Sequence, residues 1–222
     1  MQIMTDTADL TLDEIRVLLA PAIAENAAFD GWGPAARDMA AEMNGVDRDV
    51  AALAFPGAAV DMIDAWFASV DAAMIAALPA EQLTAMKIRQ RITALVEARL
   101  AATAPHREAL RRALAILAMP QNIATAARLG WRSVDAMWRA AGDTATDYNH
   151  YTKRGLLFAV YGATVTVFLD DESEHHADTR AFLARRIDGI MRFEKAKASM
   201  TRRAQHRPSL SRFVGRLRYP AV

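Results

Sequence analysis

The sequence predicts an all-α fold: a three-helix head resembling a helix–turn–helix, a larger helical domain, and a C-terminal amphipathic helix. Three observations predict it. Alanine, the strongest helix former, fills 48 of 222 positions, while glycine fills 10 and proline 8. Apolar residues recur at helical spacing along most of the chain. Only Ala163–Leu169 (ATVTVFL) reads ambiguously between helix and strand.

The elements follow in order. Leu12, Ile15, Leu18, Leu19, Ala22 and Ile23 define a first helix over Leu12–Asn26, opened by Thr11 and Glu14 spaced as a capping box. Phe29–Pro34 is a turn. A second helix, Ala35–Met43, stops at Asn44-Gly45, and a third, Asp47–Leu53, ends before Pro56-Gly57. Val60–Leu78 carries Val60, Ile63, Phe67, Val70, Met74 and Ile75 on one side. Pro79-Ala80 opens a helix reaching about Ala102. Pro105–Ala118, Pro120–Leu129 and Val134–Ala141 read as three further helices. A long apolar helix runs from Thr146 to about Leu169, and another from Ala177 to about Ser199. Ser209–Tyr219 has one last helical pattern. The expected division is a head over 1–57, a helical ligand-binding and dimerisation domain over 58–200, and a linker with tail over 201–222.

Composition excludes several chemistries. There is no cysteine, so disulfides, thiolate metal sites and cysteine nucleophiles are ruled out. Gly-rich phosphate loops, Ser-His-Asp order and positioned carboxylate pairs are not evident, so no catalytic residue, enzyme activity or cofactor is expected. Asp170–Asp178, with His175 and His176, has metal-ligand residue types. It reads instead as a turn whose acids suit the following helix start, and no metal is expected. Met1–Leu10 has no basic segment followed by a long apolar run. The expected location is cytoplasmic and peripheral on the inner membrane of a bacterium.

Charge is strongly polarised. Residues 1–80 carry 13 acids and 3 bases, whereas residues 192–222 carry 1 acid and 9 bases. Three short helices followed by longer ones are laid out as in TetR-type regulators, whose third helix reads DNA. Here that helix presents Asp47 and Asp49 with Arg48 inside an acidic head, so electrostatics oppose a phosphate backbone. No nucleic-acid partner is expected, and the head reads as a packed cap. A TetR-type ligand-responsive transcriptional repressor is the alternative.

Three stretches carry a more specific resemblance. The first is Phe29-Asp30-Gly31-Trp32 with Phe55-Pro56-Gly57. The second joins Met137-Trp138, Ala141-Gly142-Asp143 and Thr146–Arg154 (TDYNHYTKR). The third is Asp178-Thr179, Phe182-Leu183 and Arg185-Arg186-Ile187. In order and spacing, over roughly residues 10–195, the chain resembles the coenzyme Q (ubiquinone) biosynthesis accessory family, the lipid-binding partner of the demethoxyubiquinone hydroxylase. The resemblance implies a TetR-like fold, a homodimer, and binding of an isoprenoid quinone precursor or phospholipid for presentation to the hydroxylase at the membrane. It implies that His150 and Tyr151 lie in the hydroxylase-binding surface, with His150 standing where the family usually has Trp or Tyr. It links Arg154 to a phospholipid headgroup.

The residues themselves leave alternatives open. Arg154 sits near a helix start, where cations are disfavoured, which suits either a functional role or an ion pair with a neighbouring helix. Beyond it, Leu157, Phe158 and Tyr161 belong to a helix apolar nearly all round, buried against a core, a dimer mate or a lipid cavity. The resemblance favours the cavity, with Phe67, Met74, Met137 and Trp138 as further wall candidates; Met at helical spacing equally suits a core. In the tail, Leu210, Phe213, Val214 and Leu217 fall at i, i+3, i+4 and i+7, with Arg212 and Arg216 on another face. That is the composition of a membrane-interface helix.

Overall fold

Thr11 starts the first helix, α1 (Leu12–Asp30), in extended backbone. Its hydroxyl accepts from Glu14 N, and Glu14 in turn accepts from Thr11 N. The capping box read from the sequence therefore forms in this computed structural model, which describes residues 9–57, 59–144 and 148–205. Two units divide the chain, Met1–Leu183 and Ala184–Val222. The first holds the core and every site described below. The second, over its described residues, is the continuation of the last helix.

α2 (Pro34–Met43) and α3 (Arg48–Ala54) complete the head. Asp47 caps α3 by accepting from Asp49 N and Val50 N, and Arg48 pairs with Glu42. The acid at the expected recognition helix thus serves its own helix start. α1 packs on α4 (Ala59–Ala77) and on α7 (Arg107–Leu117). Trp32 is buried at that junction, donates from Nε1 to Ala109 O at 2.9 Å, and lies 5.3 Å from the buried ring of Trp66. Such aromatic pairs contribute about 0.5–1.5 kcal/mol beyond the area they bury.

Two expectations need correction. The helix read from Pro79 to Ala102 is two helices, α5 (Ala80–Ala85) and α6 (Ile88–Thr103). Met86 and Lys87 between them are extended. Arg91 fixes the break, donating to Met86 O, Thr84 O and, from 50 residues away, Ala141 O. Conversely, the separate helices read over 120–129 and 134–141 are one helix, α8 (Ile123–Ala140), preceded by a 3-10 turn. Gly130 does not end it. The glycine admits the Phe158 ring instead: a Cβ there would lie 2.5 Å from Phe158 Cε2.

α9 (Tyr148–Asp170) includes the ambiguous Ala163–Leu169 stretch, which is helical. α10 (Ala177–Gln205) follows the acidic turn. There Asp171 accepts from the backbone and hydroxyl of both Ser173 and Thr179. Burial alone would raise this carboxyl, but the four hydrogen bonds hold it far below the ordinary carboxylate range. The acids of this turn therefore shape the start of α10. The predicted tail helix, with Leu210, Arg212, Phe213, Val214, Arg216 and Leu217, lies outside the described residues.

Candidate functional site

Two features meet on α8 and α9. The first is an ion-pair cluster at the α8 end. Gly142, with φ +86°, closes α8 in a Schellman turn: Gly142 N donates to Arg139 O and Asp143 N to Trp138 O, each at 2.9 Å. The turn brings Asp143 against α9, where it accepts from Lys153 Nζ at 2.7 Å and Arg154 Nη1 at 3.0 Å. Arg154 Nε donates to Asp135 Oδ1 at 2.6 Å, and Nη1 also reaches His150 O. Burial would raise the Asp143 carboxyl; hydrogen bonds from Lys153 and Arg154, and their charge, outweigh this and lower it.

Of the two readings open for Arg154, the structure realises the ion pair. Its side chain is 2% exposed, and contact with a lipid phosphate would require giving up Asp135 or Asp143. A cation unfavourable near a helix start is compensated by two carboxylates. Trp138 joins this cluster: it donates to Lys153 O and lies under Lys153 Nζ, 5.5 Å from the ring centre. Beside the cluster, Tyr151 is 65% exposed, packs edge-on to His150 and stacks at 6.4 Å on Trp131. Trp131 is an addition to the expected pair, contributed from α8.

The second feature is a cavity of about 540 Å³ bounded by α4, α6, α7, α8 and α9. One face of each long wall helix supplies it. α7 gives Leu110, Leu114 and Leu117. α8 gives Ile123, Ala126, Ala127 and Gly130, and α9 gives Phe158, Tyr161, Gly162 and Val165. The wall is apolar except for Arg99, Ser133, Thr166 and the Tyr161 hydroxyl. It reaches the surface at Ile123 and Phe158, which are 58% and 37% exposed. The volume lies within the range of about 300–1,000 Å³ typical of small-molecule sites.

Of the expected wall residues, Phe67, Phe158 and Tyr161 line this cavity. Met74, Met137 and Leu157 are buried in the core, outside the lining, and Arg154 and Trp138 belong to the ion-pair cluster. The sequence reading missed Arg99 and the α7 and α8 stripes. The α7 stripe is visible in sequence as Leu110, Leu114 and Leu117 at i, i+4 and i+7. The break read at Gly130–Ser133 cut the α8 stripe, separating Gly130 and Ser133 from Ile123, Ala126 and Ala127.

The comparisons fall on these same helices. The COQ9 family model matches residues 123–194. The matched residues take in the whole Arg154 cluster and two of the cavity walls. The human mitochondrial ubiquinone biosynthesis protein COQ9 is 43% identical over 96 residues, which are 43% of this chain and 30% of that protein. The match thus spans about a third of the human relative's length. The Drosophila melanogaster COQ9 is 27% identical over 195 residues, 85% of this chain and 59% of that protein. A TetR transcriptional regulator from Nitrosomonas europaea superposes with a TM-score of 0.64 at 25% identity, over 79% of this chain and 97% of that one. The all-α, TetR-like fold read from the sequence is therefore found. The COQ9 relatives are named as mitochondrial. Among the described residues no single helix is long and apolar enough to cross a membrane.

Proposed function

We propose that the chain is a lipid-binding accessory protein of ubiquinone biosynthesis. It takes an isoprenoid quinone precursor from the membrane surface into the α7–α8–α9 cavity and presents it to the demethoxyubiquinone hydroxylase. The observation that carries this reading is an apolar cavity half-walled by the residues that the COQ9 family model matches, with an exposed aromatic patch on the same two helices. The role is mechanical. A polyprenyl chain is poorly solvated by water, and an apolar wall removes it from water at roughly 25 cal/mol per Å². Arg154 serves here by holding the start of α9, and with it the Tyr151 patch, against α8.

Tyr151→Lys places a charge in the aromatic patch without touching the core. It is expected to abolish co-purification of the hydroxylase while circular dichroism stays unchanged. Undiminished co-purification would place the partner surface elsewhere. The tail over 206–222 supplies the membrane contact in this proposal. Its deletion is expected to end sedimentation with anionic liposomes, and retained sedimentation would refute that role. Action as a homodimer on the inner membrane of a bacterium belongs to the same proposal.

The fold match to a transcriptional regulator favours a second reading, a ligand-responsive repressor. Against it stands the acidic head, in which Asp47 and Asp49 flank Arg48 and Arg48 is engaged by Glu42.

A further inference from the structure

Arg99 is a charged side chain in the wall of an otherwise apolar cavity, and it is 1% exposed. Its Nε donates to Asp71 Oδ1 at 2.7 Å and its Nη1 donates to the Tyr161 hydroxyl. Ser133 Oγ donates to the other Asp71 oxygen at 3.0 Å. Asp71 therefore offsets the charge of Arg99; its second oxygen also lies 3.7 Å from Arg132 Nε, and the charge of Arg132 is met chiefly by Asp64. This cluster leaves two donors unspent. Among the described residues, no hydrogen bond is made by Arg99 Nη2, and none by the Tyr161 hydroxyl hydrogen, since the phenol oxygen is already used as an acceptor. Burial pushes the Tyr161 phenol up, outweighing the lowering by Arg99, so it keeps its proton and remains a donor. Among the described residues, the buried donor without a hydrogen-bond partner beside this cluster is Arg132 Nε, not Arg99 Nη2; Arg99 and Tyr161 both line the cavity, where their remaining donors can meet a ligand.

We infer that Arg99 and Tyr161 form a polar reading point in the cavity, which receives a neutral oxygen acceptor, such as a carbonyl or ring oxygen, on an otherwise apolar ligand. Neutrality follows from the charge balance: Asp71 already offsets the guanidinium, so an anion would have to compete with it. The apolar remainder of the ligand lies along the α7, α8 and α9 stripes. This inference rests on the proposed lipid-binding role of the cavity and adds which chemical group the cavity selects.

The test uses the full chain and displacement of N-phenyl-1-naphthylamine, a neutral apolar dye, by three probes: a decyl-substituted 1,4-benzoquinone, decylbenzene and decanoate. The quinone is expected to bind about tenfold tighter than decylbenzene, the scale of one or two buried hydrogen bonds. Tyr161→Phe, which removes only the hydroxyl, is expected to reduce that preference severalfold with decylbenzene binding unchanged. Arg99→Met combined with Asp71→Asn, which removes both charges together, is expected to erase it. Equal binding of quinone and decylbenzene to the native chain would overturn the reading point and leave the lipid cavity standing. A preference for decanoate would overturn the neutral-acceptor assignment. Failure of every probe to displace the dye would overturn the cavity reading and this inference with it.

Discussion

Arg154→Met is expected to destabilise the chain by about 3–5 kcal/mol, because it leaves Asp135 and Asp143 partly unpaired beside a buried apolar side chain. For a chain of this size that lowers the melting temperature by about 6–20 °C. With the side chain only 2% exposed, little of the loss is screened by solvent. Asp143 keeps Lys153, so the larger share of the loss falls on Asp135, whose remaining partner is the exposed Arg139. Removing Asp135 as well, in Arg154→Met with Asp135→Leu, is expected to recover part of the stability. Thermal unfolding followed by circular dichroism checks both variants. A melting temperature unchanged by Arg154→Met would mean that the cluster is solvated in solution and does not anchor α9.

Gly162→Trp is expected to abolish ligand binding without loss of stability. Gly162 lines the cavity, and a Cβ built on it meets no atom within 4 Å. A Cβ there displaces no neighbour, and the indole beyond it is expected to block the cavity from this exposed edge of the wall. Replacing a helical glycine also favours the helix, by up to about 1 kcal/mol. The dye-displacement assay should show at least tenfold weaker quinone binding with an unchanged or raised melting temperature. Gly130 is the contrasting position. There even alanine puts its Cβ 2.5 Å from the Phe158 ring, so Gly130→Ala must shift that ring and is expected to disturb packing as well as binding. Native-strength quinone binding by Gly162→Trp would place the ligand outside this cavity.

Much of the architecture is written locally. Thr11 with Glu14 and the Asn44-Gly45 stop each act within one helical turn, and each is found where the pattern puts it; Asp47, read as the first residue of the third helix, is its N-cap. The errors arise where a distant residue decides. Nothing in Met86-Lys87 is a helix breaker; Arg91, reaching Ala141, holds the break open. Gly130 has the composition of a stop, yet it is the only residue size that lets Phe158 approach α8. Reading a break there separated Gly130 and Ser133 from Ile123, Ala126 and Ala127, which line the cavity from one face of the same helix.

The polar cluster was more legible than its omission suggests. Arg99 continues the buried face Ile92, Leu95, Val96, and Asp71 continues Phe67, Val70 and Met74 around the buried side of α4. A charge on an apolar helix face signals a buried partner, and two such charges of opposite sign point to each other. The sequence could not place the Tyr161 hydroxyl between them and the cavity, because three helices must pack before those atoms meet. Arg154 teaches the reverse: its violation of the helix dipole signalled a special role, and that role is an ion pair with Asp135 and Asp143.

The most direct test of the central claim is mass spectrometry of lipid extracted from the purified full chain, compared with the same extract from Gly162→Trp. A polyprenyl-substituted oxygenated ring is expected in the native extract, with its loss from the variant. Bulk phospholipid alone in the native extract, or the same polyprenyl lipid in equal amount from both proteins, would contradict it.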